Sequence, residues 1–231
     1  MKRTQAFSLG LRSVMPLLLG VAPFGVIYGV VALQSGIPPL AAMAMSSIVF
    51  AGSAQFLLAQ LVGAGAPLLL AAGAVALVNL RHALYSASVA PILAHLPRRW
   101  KILLAYLLTD EAYAAAIPHL MAVKPDTPPS AMRHWILFGS GFGLWAGWQL
   151  STLAGVLIGA RLPPNLGLDF ALPLTFIAIV VPMIESRALL MAALAAGAAA
   201  IALAALPYKL GLFLAALAGL VVGAVLTGKT K

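Results

Sequence analysis

The segment from Pro67 to Leu93 constrains this chain most. It opens with a run of almost pure Leu, Ala, Val and Gly that reaches Val78. It then carries Asn79-Leu80-Arg81-His82-Ala83-Leu84-Tyr85-Ser86-Ala87-Ser88 before returning to Val89-Ala90-Pro91-Ile92-Leu93. A helix of about 20 apolar residues spans a bilayer, so the polar cluster falls inside a stretch of membrane length. An Arg at that depth costs at least roughly 2.5–3.5 kcal/mol on insertion scales. It therefore needs a partner, a wet cavity or reach to an interface. On a helix Asn79, His82 and Ser86 share one face, and Arg81, Tyr85 and Ser88 share a neighbouring one. Lipid satisfies neither face, so both should point into the protein.

The rest of the chain agrees. Of 231 residues 63% are hydrophobic and 8% are charged, against about 25% charged in soluble domains. The reading is an all-α polytopic membrane protein with a single transmembrane domain and no room for a soluble catalytic domain. The net charge of +9 does not signal nucleic acid. Apart from Arg81, the positive residues fall mostly in short connections and at the two ends, as orientation signals do. Cysteine is absent, which removes disulfides and thiolate metal sites. Met1-Lys2-Arg3 before an apolar run mimics a signal peptide, but Val14 to Leu33 is too long for one and is expected to stay as the first helix.

Seven to eight transmembrane segments are expected. The first runs from about Ser13 to Leu33, where Pro23 removes a backbone bond and Gly25 and Gly29 allow close helix approach. Segment 2 (about Leu40 to Val62) holds Phe50-Ala51-Gly52-Ser53-Ala54-Gln55-Phe56, a thin or unwound place. Segment 3 carries the opening cluster. The connection His95 to Lys101 is basic, with an interfacial Trp100, and should be cytoplasmic. Segment 4 (about Ile102 to Met121) contains Leu108-Thr109-Asp110-Glu111. Segment 5 (about Trp135 to Ala160) has Gly139, Gly143 and Gly147 spaced by four, with Trp145, Trp148 and Gln149 close by. Segment 6 (about Asp169 to Ile184), segment 7 (Ala188 to Leu206) and segment 8 (Leu210 to Thr227) complete the chain, the last with a small-residue seam of Gly211, Ala215, Gly219 and Gly223.

An internal repeat is expected, inverted as in many transporters and built with broken or re-entrant helices. Pro23 to Gly29 parallels Gly141 to Gly147, and Phe50 to Phe56 parallels Phe170 to Phe176. Repeat A covers about 13–94, a linking helix about 102–121, repeat B about 135–206 and a final helix about 210–227. With the N-terminus inside, three crossings ahead of Arg98, Arg99 and Lys101 would leave them outside. They stay inside if segments 2 and 3 together cross only once, one of them re-entrant or broken near Ala51-Gly52-Ser53 or Asn79, which makes seven crossings.

Candidate chemistry centres on few residues. Asp110 and Glu111 are the only adjacent carboxylates. Asp110 is either a proton-coupling group or a static counter-charge to Arg81 or His82, and Glu111 is read as structural. His82 is either a proton relay or a satisfied interhelical hydrogen bond. The Arg81 fork suits a substrate carboxylate or an internal ion pair. Ser53 and Gln55 beside small residues either expose backbone to a solute or pack helices. Asp169 reads as a helix N-cap. The four scattered His offer no ligand spacing for a metal, and no nucleophile elbow or phosphate loop is present. The chain is not read as an enzyme, and no cofactor is expected.

Pro23-Phe24-Gly25 with Tyr28-Gly29, Phe50 to Phe56, Asn79 to Tyr85, Leu108 to Glu111 and Gly167 to Ala171 together resemble the AzlC-type proteins. These are large subunits of bacterial branched-chain amino acid exporters. The resemblance covers about Ser8 to Pro182. It implies a multi-pass protein of the bacterial inner membrane that exports valine, leucine, isoleucine and also methionine. It implies secondary transport and a small AzlD-type membrane subunit as partner, with the lipid bilayer as surroundings and an amino acid as substrate. Beside the resemblance, the residues themselves suggest a substrate site of Phe24, Gly25, Phe50, Gly52, Ser53, Gln55, Asn79, Arg81, Tyr85 and Phe142. They suggest coupling or ion-pair roles for His82, Asp110 and Glu111. Transport of another small solute, or a non-transport scaffold, is the rival reading.

Overall fold

The computed structural model describes residues 2–121, 132–161, 184, 186–207 and 210–228. Asp169 and the rest of segment 6 up to residue 183 lie outside them, and with them the second half of the Phe50 to Phe56 repeat match. The described helices are α1 (Arg3–Gln34), α2 (Pro39–Val49), α3 (Gly52–Gly63), α4 (Leu68–Val78), α5 (Leu80–Val89), α6 (Arg98–Leu107), α7 (Asp110–Met121), α8 (Arg133–Gly159), α9 (Arg187–Ala202) and α10 (Leu210–Gly228). No strand occurs among the described residues. Among the described residues, four stretches are long and apolar enough to cross a membrane: Arg3–Gln34, Leu68–Val89, Arg133–Gly159 and Leu210–Thr227. Pro39–Val49 and Arg187–Ala202 are shorter apolar helices.

The chain divides into two units, residues 1–60 with 69–162, and residues 61–68 with 163–231. The first unit is built on α1 against α8. Glycine makes this contact close. A methyl group on Gly10 would overlap the Ile136 carbonyl, one on Gly139 the Phe7 carbonyl, and one on Gly155 the Val26 carbonyl. Backbone thus lies on backbone, which gives dense van der Waals contact where burial against lipid supplies no drive. Gly10 meets Ile136 and Ser140, Gly155 meets Val26, and Gly159 meets Val30. Low numbers meet low numbers, so α1 and α8 run parallel. Helices exchanged by an inverted repeat run antiparallel. The pair that carries Pro23 to Gly29 and Gly141 to Gly147 therefore lacks the inverted sense expected from the sequence.

Three of the expected segments are each two helices. Segment 2 breaks at Phe50, which is left-handed at φ 37° and ψ 50°. For a bulky residue that conformation is strained, and it ends α2 as glycine would. Segment 3 tightens at Asn79, where His82 N–H donates to the Asn79 carbonyl at 3.0 Å. Segment 4 breaks at Leu108, with φ −86° and ψ 82°. There the Thr109 N–H donates to the Leu107 carbonyl at 3.1 Å, a γ-turn. The basic stretch Arg98, Arg99 and Lys101 starts α6 rather than forming a loop. Trp100 sits edge-on to His134 and Trp135, with ring centroids 4.8 and 5.0 Å apart.

In the second unit α9 and α10 pack antiparallel. Gly211 lies against the Leu203 carbonyl, Gly219 against Ala196 and Ala192, and Gly223 against Ala192. The small-residue seam read from the sequence is filled by the chain's own α9.

Candidate functional site

Breaking a helix releases backbone groups that need partners, and inside a membrane each unpaired group is expensive. At the end of α2 the side chains of other helices meet that need. Gln149 Nε2 donates to the Ser46 carbonyl at 3.1 Å, and Tyr106 Oη donates to the Ser47 carbonyl at 2.5 Å. Trp145 Nε1 donates to Tyr106 Oη at 2.8 Å, and Ser47 Oγ donates to Gln149 Oε1 at 3.1 Å. Ser46 Oγ and Thr152 Oγ1, both fully buried, share a hydrogen bond of 3.1 Å. At the start of α3 the Ala51 N–H donates to Gln55 Oε1 at 3.3 Å. The α2/α3 break is thus fastened to α8 and to Tyr106.

The tightened turn at Asn79 and the break at Leu108 meet through charge. Arg81 Nη1 pairs with Asp110 Oδ2 at 2.5 Å, and Arg81 Nη2 donates to Ser53 Oγ at 2.7 Å. One guanidinium therefore ties α5 to the first turns of α3 and α7. Asp110 and Glu111 both sit in the first turn of α7, where the helix dipole favours negative charge. The stripe expected on α5 is the one that faces α7. Tyr85 stacks on Tyr113 with centroids 4.8 Å apart, and Ser88 Oγ hydrogen-bonds Tyr113 Oη at 2.9 Å.

Around these breaks, buried polar atoms remain without a hydrogen-bond partner. They are Gln55 Nε2, Asn79 Oδ1, Arg81 Nε, His82 Nε2, Thr109 Oγ1 and Asp110 Oδ1. Tyr28 approaches the Gln55 amide, Tyr85 the Asp110 carboxylate and Glu111 the Thr109 hydroxyl without closing a well-formed hydrogen bond to these atoms. Native structures leave few such atoms, and each calls for a ligand or water. Here they comprise donors and acceptors, with a cation and an anion among their owners.

Beside α3 stands an aromatic set. Phe24 lies 4.5 Å from Phe56 and 6.2 Å from Trp148, centroid to centroid, and Tyr28 lies 6.1 Å from Trp148. Trp148 Nε1 donates to Gln55 Oε1 at 3.1 Å. A methyl group on Gly52 would come within 3.0 Å of Trp148 and 3.1 Å of Phe24, so Gly52 is what lets α3 lie under both rings. A cavity of about 310 Å³ adjoins the α6/α7 break, lined mainly by apolar residues that include Val89, Leu93, Leu104, Leu108 and Leu137.

Most of the residues picked from the sequence gather here. Ser53, Arg81 and Asp110 are in direct contact, Gln55 and Asn79 sit at breaks, and Phe24 and Gly52 adjoin the aromatic set. Tyr85 stands one turn beyond Arg81, its ring 6.2 Å from that of His82. Glu111 follows Asp110, but the ion pair goes to Asp110. Phe50 packs on Tyr106, 5.7 Å away. Gly25 is spent on the α1/α8 seam, against Ser151 and Trp148. Phe142 is not gathered. It belongs to a separate stack with Phe7, Phe138 and Trp145, and is 42% exposed. Tyr28, Tyr106, Thr109 and Trp148 join the site without standing among the residues the sequence suggests for it; of these, Trp148 lies beside the glycine series of segment 5.

A family model described as "AzlC protein" matches residues 16–162. The chain is 30% identical to the inner membrane protein YgaZ of Escherichia coli over 225 residues, covering 94% of this chain and 87% of that one. It is also 30% identical to an uncharacterized membrane protein of Archaeoglobus fulgidus, covering 95% of this chain and 94% of the relative. A membrane protein of Helicobacter pylori is 27% identical over 75% of this chain and 73% of its own length. No solved structure matches.

Proposed function

Because the chain belongs to the AzlC family of membrane proteins, we propose that it is the large subunit of a two-subunit secondary transporter. It exports branched-chain amino acids across the bacterial inner membrane, with a small AzlD-type membrane protein as its partner. The observation that carries this reading is the group of buried donors and acceptors left open where the two helix breaks meet the tightened turn at Asn79. Transporters place their sites at discontinuous helices, whose exposed backbone and turned-in side chains bind polar solutes. A free amino acid matches the chemistry. Its carboxylate needs donors, its ammonium needs acceptors such as Asp110 Oδ1 and Asn79 Oδ1, and its aliphatic side chain needs an apolar surface. Phe24, Phe56 and Trp148 supply that surface, and the cavity beside Leu108 offers apolar space on the path.

In this mechanism helix breaks flex while the α1/α8 pair stays rigid, because backbone packed on backbone has no room to slide. Asp110 balances Arg81 at rest and exchanges a proton during the cycle. The test is amino acid efflux from cells preloaded with a leucine-containing dipeptide, expressing the chain with and without its small partner. Faster efflux of leucine, valine and methionine than of lysine and glutamate, lost with a protonophore or without the partner, supports the reading. No efflux of any amino acid from an assembled complex overturns it.

A further inference from the structure

We propose that the carboxylate of the transported amino acid is held by the side-chain amide of Gln55 together with the first N–H groups of α3, at Gly52, Ser53 and Ala54. This deepens the export reading and rests on it.

The assignment follows from how Gln55 is fixed. The residue is fully buried. Its Oε1 accepts two hydrogen bonds from groups that only donate, the Ala51 N–H and the Trp148 indole N–H. Those two donors settle which end of the amide is oxygen. The Nε2 end is therefore an NH₂ with two hydrogens, and it has no hydrogen-bond partner. Tyr28, whose hydroxyl already donates to the Ala42 carbonyl and also interacts with this amide, can take at most one of them. At least one buried donor waits for an acceptor.

Its position at the start of α3 makes that acceptor an anion. Gln55 turns back onto Ala51, the residue before the helix. The first helical bond of α3 is Gln55 N–H to the Ala51 carbonyl at 2.9 Å. The N–H groups of Gly52, Ser53 and Ala54 precede it and have no partner within the helix. The α3 dipole favours negative charge at that end. The first turn of α3 carries no acidic residue of its own, and the nearby Asp110 carboxylate is paired with Arg81. The α7 N-terminus, by contrast, already holds Asp110 and Glu111. Arg81 is the obvious rival for the carboxylate: its terminal nitrogens contact Asp110 and Ser53 and its Nε keeps a free N–H, but the Asp110 carboxylate already balances its charge. The aromatic set stands beside the same turn, with Gly52 under Phe24 and Trp148, so an α-amino acid bound there lays its side chain against those rings.

Gln55→Glu separates this from a structural role. A glutamate keeps an oxygen for Ala51 and Trp148 but replaces the NH₂ by a second oxygen. The assembled complex is purified and titrated with leucine and with leucinol, which keeps the ammonium and the isobutyl group but lacks the carboxylate. Wild type should bind leucine and bind leucinol at least about tenfold more weakly, the effect of losing a charge-assisted hydrogen bond. In Gln55→Glu leucine binding should fall by at least about tenfold while leucinol binding is kept or improved. Equal binding of leucine by wild type and Gln55→Glu would overturn the assignment and leave the export reading standing. Failure of wild type to bind leucine would overturn the export reading itself. Should Gln55→Glu not fold, hydrogen exchange on the wild-type complex decides. Leucine, and not leucinol, should slow exchange at residues 52–54. Leucine-specific protection at residues 80–82 instead would move the carboxylate to Arg81.

Discussion

Arg81 Nη1 lies 2.5 Å from Asp110 Oδ2, joining the start of α5 to the start of α7. Each side chain is about one-third exposed, at 33% and 32%, and each keeps a buried atom unpaired, Arg81 Nε and Asp110 Oδ1. A pair formed only for stability would gain from satisfying those atoms as well. The combination of a made contact and two unmade ones suits a pair that also handles a solute or a proton.

Asp110→Asn tests this directly. The amide keeps the shape and one acceptor for Arg81, so assembly with the partner should survive, with a stability loss of about 1–2 kcal/mol. Coupled efflux of leucine should fall by more than about tenfold, because a proton can no longer be exchanged there and Arg81 is left uncompensated. The measurement is efflux as a function of external pH. Unaltered efflux across the range would remove Asp110 from the mechanism.

Arg81→Ala and Asp110→Ala, alone and together, measure the pair itself. Each single change strands one charge and should lower the melting temperature of the purified protein by the equivalent of about 1–3 kcal/mol. The double change strands neither, so it should cost less than the sum. Additive losses would mean that the two groups do not depend on each other for stability.

Much of this site was legible in the sequence. The stripe Arg81, Tyr85 and Ser88 was read from helical spacing alone, and it meets Asp110 and Tyr113 because lipid cannot take it. The thin place at Phe50 to Gln55 was visible as small residues beside a Gln at mid-depth. The α6/α7 break was not read. In one continuous helix Tyr106 (i−4) and Tyr113 (i+3) would share the face of Asp110. Only Tyr113 stays near α5, while Tyr106 turns to Ser47 and Trp145. No Pro or Gly marks the γ-turn at Leu108. The available signal was Thr109-Asp110-Glu111, a capping residue type followed by acidic residues, the usual opening of a helix. Gly25 was assigned to substrate although its spacing with Gly29 also announced a seam, and the seam is what it serves. Phe142 was grouped with Phe24 by type, but it lies on the α8 face turned toward Phe7.

Tyr106→Phe tests the fastening of the α2/α3 break. The ring keeps its place against Phe50, but the Ser47 carbonyl loses its donor and the Trp145 N–H its acceptor. Stability should fall by about 1–3 kcal/mol, read as a lower melting temperature in detergent. No change would mean that water or another group takes over both partners at no cost.

The α1/α8 seam makes a sharper prediction, because two glycines on α1 and α8 differ only in surroundings. Gly→Ala in a helix normally gains roughly 0.5–1 kcal/mol. Gly20 has nothing within 4 Å of a would-be methyl group, so Gly20→Ala should show that gain. Gly155→Ala drives a methyl into the Val26 carbonyl, and backbone cannot step aside as a side chain does. It should instead lose about 1–3 kcal/mol or more. Paired melting curves decide, and equal behaviour of the two variants would mean that the seam is looser than backbone contact requires.

The aromatic set should govern selectivity among side chains. Phe24 is only half-buried, and its ring closes one side of the group with Phe56 and Trp148. Phe24→Ala takes away contact that an isobutyl group would use and opens space for a larger one. A methylene of misfit in an apolar pocket is worth about 1–3 kcal/mol. Efflux of leucine relative to phenylalanine should therefore drop by at least about tenfold, with total efflux of the larger solute rising. Competition in the efflux assay measures the ratio. An unchanged ratio with reduced efflux of both solutes would place Phe24 in helix packing and move the side-chain pocket elsewhere, the cavity beside Leu108 being the next site to alter.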